Sequence, residues 1–210
     1  MGHGQTPGSW NGSGSPAQID DGTSARTVAP TPGAIGLQAA GGGARQAAPA
    51  NLADRITAFA RRRVTQAEGN GQCFTLVDRA LRHAGAKSAH DFGEITPDAD
   101  YVWGNATSLT DLRAGDIIQF RDYVFTRTVV TNNASGTSTV ETAGDRPHHS
   151  AVVDRVGADG AVTVLEQNAP VGSPVSRNTL YFLAGTSSLG DTTTTVTVSG
   201  SWQFYRAEAK

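Results

Sequence analysis

From Leu52 onward the chain carries two different spacings of apolar residues, one after the other. Leu52, Ile56, Phe59, Ala60 and Val64 recur three and four apart, which predicts a helix with one apolar face, Asn51 as its N-cap and Arg55, Arg61 and Arg62 largely off that face. A second helix is predicted from Cys73 to Ala84, with Leu76, Val77, Ala80 and Leu81 as its buried stripe and Gly85 as its stop. Beyond a loop containing Tyr101-Val102-Trp103-Gly104 the pattern changes to short β-rich runs separated by turn residues. These are Asp116–Phe120, Tyr123–Thr131, Ser138–Thr142, Ser150–Val156, Val162–Gln167, Thr193–Val198 and Trp202–Tyr205. Gly157-Ala158-Asp159-Gly160 reads as a hairpin turn, and Asn132-Asn133-Ala134-Ser135-Gly136 as the tip of a second hairpin. Helices first and strands later predict an α+β domain, with the N-terminal helices packed on an antiparallel sheet.

Before Asn51 the pattern is absent. Residues 1–49 are dominated by Gly, Pro, Ala, Ser and Thr with few large apolar residues, and are expected to be a disordered tail attached to one catalytic-sized domain over 50–210. The start, Met1-Gly2-His3-Gly4-Gln5, lacks the basic end and apolar stretch of a secretory signal, and no window approaches eighteen apolar residues. A net charge of −2, with no basic run longer than Arg61-Arg62-Arg63, gives no electrostatic case for nucleic acid. A monomer without nucleic-acid or membrane-spanning partners is expected.

The single cysteine, Cys73, excludes a disulfide framework and a multi-cysteine zinc site. Its predicted place at a helix N-terminus exposes it to unpaired N–H groups and a partial positive charge, which favour thiolate and could hold an oxyanion. A catalytic thiol needs a base and a group that orients that base. The hairpin around Gly157–Gly160 brings the start of one strand beside the end of the next, so His149 and Glu166-Gln167-Asn168 become neighbours. Counting outward from the turn sets Ser150 opposite Gln167 and His149 opposite Asn168, with Glu166 diagonal to the histidine on the same face. Which of Glu166 and Asn168 meets the imidazole stays open at this point. His148 and His149 point to opposite faces, so one of them faces the thiol, and His83 lies too far along its helix to reach it.

Four segments together resemble the CHAP domain, a family of cysteine- and histidine-dependent amidohydrolases and peptidases close to the NlpC-type papain-like hydrolases. They are Gly71-Gln72-Cys73 opening a helix, Leu112–Phe120 entering the first strand, His149–Val153, and Val164-Leu165-Glu166-Gln167-Asn168, within residues 67–206. The resemblance implies a papain-like fold, with Cys73 as nucleophile, His149 as general base, Glu166 as orienting acid and Asn168 as a further polar residue of the site. Gln72 and the Cys73 N–H would stabilise the oxyanion, and no cofactor or metal would be needed. It further implies amide hydrolysis through a thioester, on peptidoglycan peptides or on small amides such as glutathionylspermidine. Two other readings keep the same fold: a catalytically inactive binding or scaffold module, and an acyltransferase using the same triad. The long stretch between Phe120 and His149 is expected to form a hairpin that covers or shapes the cleft. A wall-acting enzyme without a signal segment would reach its substrate by a dedicated secretion route or on lysis.

Overall fold

The computed structural model describes residues 51–210; the expected tail at 1–49 lies outside them. Helix α1 spans Leu52–Arg61, begun by Asn51, whose side chain accepts the Asp54 N–H at 2.9 Å, and it buries Ile56, Phe59 and Ala60. The helix stops three residues short of Val64, and the chain then turns through Thr65 at φ 72°. Val64 still packs on the core. Helix α2 spans Cys73–Ala84 and ends at Gly85, in the left-handed conformation at φ 79°, with the Ala86 N–H closing on the Leu81 carbonyl at 2.9 Å.

Seven antiparallel strands follow: β1 (Asn105–Thr107), β2 (Ile117–Asn133), β3 (Gly136–Val156), β4 (Val162–Glu166), β5 (Ser176–Leu180), β6 (Gly185–Leu189) and β7 (Thr192–Arg206). They form one sheet in the order β1-β7-β2-β3-β4-β5, with β6 added to β7. Three pairs of predicted strands are single long strands. The gap expected between Phe120 and Tyr123 is a bulge, where Asp122 takes φ 51° and β2 gains one residue on β7 opposite Gly200. The gap expected between Thr142 and Ser150 is bridged by continuous pairing of β3 with β2, and the one between Val198 and Trp202 holds Gly200 at φ 87°. The far halves of β2 and β3, with β7 and β6, therefore project as a mostly exposed, threonine-rich four-stranded ribbon.

Both faces of the sheet are covered where it matters for the site. Ile117, Val152 and Leu165 pack against the helices together with Trp103, while Ile118, Phe120, Ala151, Val153 and Val164 form a second core with Leu112, Leu180, Phe182 and Phe204. Burial on both faces explains why Ile117-Ile118 and Ala151-Val152-Val153 are continuous apolar runs rather than alternating ones. The Asp122 bulge also reverses the alternation: Phe120 and Tyr123, three apart, face the same core, and so do their β3 partners His149 and Arg146. Strands β1, β5 and β6 were not predicted. Their sequences (Asn-Ala-Thr, Ser-Arg-Asn-Thr-Leu, Gly-Thr-Ser-Ser-Leu) are polar, and pairing with a neighbour rather than burial holds them extended.

Candidate active site

Cys73 is the first residue of α2, and the loop before it is shaped to deliver it. Gly69 and Gly71 take φ 60° and 80°, and at Gly69 a Cβ would come 2.5 Å from Thr75 Cγ2, so only glycine fits there. Asn70 Oδ1 accepts the Gln72 N–H at 3.1 Å and the Thr75 hydroxyl at 2.6 Å, tying the loop to the first turn of the helix. No side chain caps α2, which leaves the Phe74 N–H turned toward the Cys73 sulfur. The Ser150 N–H reaches the same sulfur from β3; β4 has already ended at Glu166, so this part of the β3 edge is open. Partial burial pushes the thiol up, but the His149 ring and then the two N–H groups outweigh it and hold the thiol below its ordinary value of 9.0.

His149, 5 % exposed, bridges the sulfur and a carboxylate. Its Nε2 lies 2.9 Å from Glu166 Oε2, although its N–H does not point along that line, so the pair is an ionic contact rather than an aligned hydrogen bond. Burial drives the ring down; Cys73 and then Glu166 reverse this and raise it to about 9. Burial likewise pushes Glu166 up, and Arg146 first, then His149, bring it down to about 2. Each group thus favours the charged form of the other, thiolate at Cys73 and imidazolium at His149. The register places His149 where the hairpin count expected it. Val152 pairs with Leu165, the frame in which Glu166 lies diagonal to His149, whereas next to the turn the frame is shifted by one residue at a bulge between Val153 and Arg155.

Glu166 is fully buried and is also held by Arg146, through Nε to Oε2 at 2.8 Å and Nη2 to Oε1, and by Asn178 Nδ2 at 2.8 Å. Sequence reasoning missed both. No period-2 count places Arg146 beside His149, because the two share a face only through the Asp122 bulge. Gln167 grips the loop that leads into Cys73: its Oε1 accepts the Glu68 N–H at 2.8 Å, and its Nε2 donates to the Glu68 and Gln72 carbonyls at 3.0 and 2.6 Å. Glu68 is itself paired with Arg63 and Arg79. Asn168 does not bond the imidazole. Its Nδ2 donates to Gln72 Oε1 at 3.3 Å, so it meets the site through the glutamine. His148 does not contact the sulfur; it lines the same cleft, packed on Tyr101 with its Nε2 2.8 Å from the Ala99 carbonyl, and His83 packs on Phe59.

A cleft of about 420 Å³ opens over the sulfur, walled by Gln72, Phe74, Ile95, Pro97, Tyr101 and Gln119. Tyr101 packs edge-on against Phe74 with centroids 4.8 Å apart, and Arg121 ties its loop down through Asp100 at 2.8 Å and the Asp98 carbonyl at 2.6 Å. Gln119 accepts from Trp103 Nε1 at 3.1 Å and the Ser150 hydroxyl at 2.7 Å. On the other side of His149 runs a second groove of about 780 Å³, bordered by Arg146, Pro147, Asn168 and, at the base of the projecting ribbon, Phe125 and Gly144. The stretch between Phe120 and His149 therefore shapes this groove. Among the described residues, no helix is long and apolar enough to cross a membrane.

Two helices on an antiparallel sheet, with a thiol at a helix start facing an imidazole on a strand, define a papain-like cysteine-proteinase fold. Residues 45–184 match the AIM3/BBC1 cysteine proteinase-fold domain, and the chain belongs to that family. No curated protein and no solved structure is significantly similar to the chain. The family match supports the papain-like architecture and is not specific to CHAP or NlpC domains.

Proposed function

We propose that this domain is a cysteine-dependent amide hydrolase acting through a thioester. The observation that carries the reading is the Cys73–His149–Glu166 line, in which the thiol is held low and the imidazole high by mutual contact. The Cys73 thiolate attacks the substrate carbonyl carbon, and the C=O π pair moves to oxygen, where the helix-start N–H groups and Gln72 meet it. As the tetrahedral centre collapses, the C–N bond breaks and His149 gives its proton to the departing amine. Water, deprotonated by the now neutral imidazole, attacks the thioester. The acid is released and the thiolate–imidazolium pair is restored. Glu166, fixed by Arg146 and Asn178, keeps the ring oriented and favours its cation.

The resemblance to CHAP domains directs the search for substrate to peptidoglycan peptides and other small amides. Mass spectrometry of peptidoglycan fragments before and after exposure to the protein, alongside Cys73→Ala, tests both levels. The expected result is cleavage of one amide bond by the wild type and none by the variant. Cleavage by Cys73→Ala at the wild-type rate overturns the mechanism. Appearance of a new amide when amines are added identifies an acyltransferase. A Cys73 that iodoacetamide labels no faster than free cysteine identifies a scaffold.

A further inference from the structure

Glu166, Gln167 and Asn168 are consecutive, yet they act on three different targets: the imidazole, the backbone of the nucleophile loop and the Gln72 side chain. The third contact fixes the orientation of an amide. Asn168 sits at φ 64°, a left-handed conformation that Asn and Gly accept and most other residues do not. Its loop is closed by the Asn168 N–H on the Ser173 carbonyl at 2.9 Å and the Ala169 N–H on the Ser173 hydroxyl at 3.0 Å. The Gly172 N–H points at Asn168 Oδ1 from 2.7 Å. A backbone N–H only donates, so the atom facing it must be the oxygen, and the NH2 group is left to face Gln72. Gln72 answers with Oε1, at 3.3 Å. Its own NH2 group is thereby turned away from Asn168, and Gln72, Asn168 and Cys73 line one cleft together.

We propose that Asn168 is a positioning residue that sets the amide of Gln72, so that Nε2 rather than Oε1 is presented to the oxyanion formed on Cys73. The chain of orientation begins at an obligate donor, the Gly172 N–H, and ends at a hydrogen-bond donor in the reaction site. Without it, Gln72 could rotate and place a carbonyl oxygen against the developing negative charge. The proposal rests on the reading that Cys73 performs acyl transfer. It departs from the sequence expectation by coupling Asn168 to the oxyanion and not to the base.

The test is a double-mutant cycle with Gln72→Ala, read through a probe that needs no knowledge of the natural substrate. N-acetylglycinal adds the Cys73 thiolate to its aldehyde carbon, and its carbonyl oxygen, gaining the π pair and then a proton, takes the place of the oxyanion. Its affinity is measured by protection of Cys73 against iodoacetamide. Asn168→Asp accepts from Gly172 N as before but also accepts from Gln72 Nε2, drawing the donor away. It is expected to weaken the aldehyde roughly tenfold to a hundredfold, short of the roughly hundredfold to thousandfold loss for removing an oxyanion donor outright. Asn168→Gly, which suits the backbone and leaves Gln72 free to rotate, is expected to weaken it less. In the Gln72→Ala background neither variant is expected to weaken it further. Wild-type affinity in Asn168→Asp, or losses that persist in full without Gln72, overturn the proposal. Should wild-type Cys73 react with iodoacetamide no faster than free cysteine, the acyl-transfer reading fails first, and the two failures are distinct.

Discussion

At the scale of the residue, the reactive pair owes its charges to contacts only a few ångströms long, and pH is the direct probe of them. The thiol is held below 9.0 and the imidazole is raised to about 9, so thiolate and imidazolium coexist between the lowered thiol value and about 9. The proposed hydrolysis needs both, and for it a bell-shaped pH profile is expected, with its acid limb below the ordinary thiol range and its basic limb near 9. Iodoacetamide labelling should accordingly already be fast near neutral pH. A labelling curve that climbs only where a free thiol ionises would remove the ion pair. In Glu166→Gln the imidazolium loses its carboxylate, and the basic limb is expected to move to lower pH. Arg146→Met leaves the buried Glu166 charge without its guanidinium, with only His149 to balance it, and urea unfolding should show a loss of up to about 3–5 kcal/mol, the cost of breaking a buried pair. Cys73, His149 and Glu166 were legible because a helix start and a tight hairpin fix where their side chains can meet. Arg146 was not, since its place depends on a backbone conformation that Asp122 does not announce.

At the scale of the element, the controlling features are interruptions rather than regular stretches. The Asp122 bulge and Gly200 opposite it join the strand segments bearing the site to the projecting ribbon. A Cβ on Gly200 would stand 2.1 Å from the Asp122 carbonyl oxygen, at a φ of 87° that disfavours any side chain. Gly200→Ala is therefore expected to lower the melting temperature and, by disturbing the bulge that brings Arg146 to Glu166, to slow Cys73 labelling as well. A variant that melts earlier with labelling unchanged would separate the bulge from the site. The two helices were readable from their apolar spacing to within three residues at one end of α1 and none in α2. Strand boundaries were less so. Gly, Asp and Pro residues that look like ends of strands are, in β2, β3 and β7, accommodated within paired strands, and the polar β1, β5 and β6 carry no apolar period to read.

At the scale of the whole molecule, stability is unevenly spread. The two cores lie on either side of Ile117–Phe120 and Ala151–Val153, while the ribbon beyond Thr126 buries little. Hydrogen exchange is expected to be orders of magnitude faster in 128–142 and 186–197 than at Ile118, Val152 and Val164, and uniform protection would contradict this division. Acid should act through carboxylates held below their ordinary range. Glu166, at about 2 against an ordinary 4.5, contributes stability that is complete above 4.5 and is lost as pH falls through about 2. Glu68 and Asp154, each held down by two arginines, act in the same direction. Melting temperature should fall across that interval, and less steeply in Glu166→Gln.

Cys73 and His149 are far apart along the chain and meet only where β4 leaves the edge of β3 open. During synthesis the thiol leaves the ribosome well before the imidazole, and longer still before the carboxylate that contacts that ring. Until the strands have paired, Cys73 has neither the imidazole nor the Ser150 amide that favour its anion. The nascent chain thus carries a thiol without the contacts that favour its anion, and those contacts arrive only as the sheet is completed.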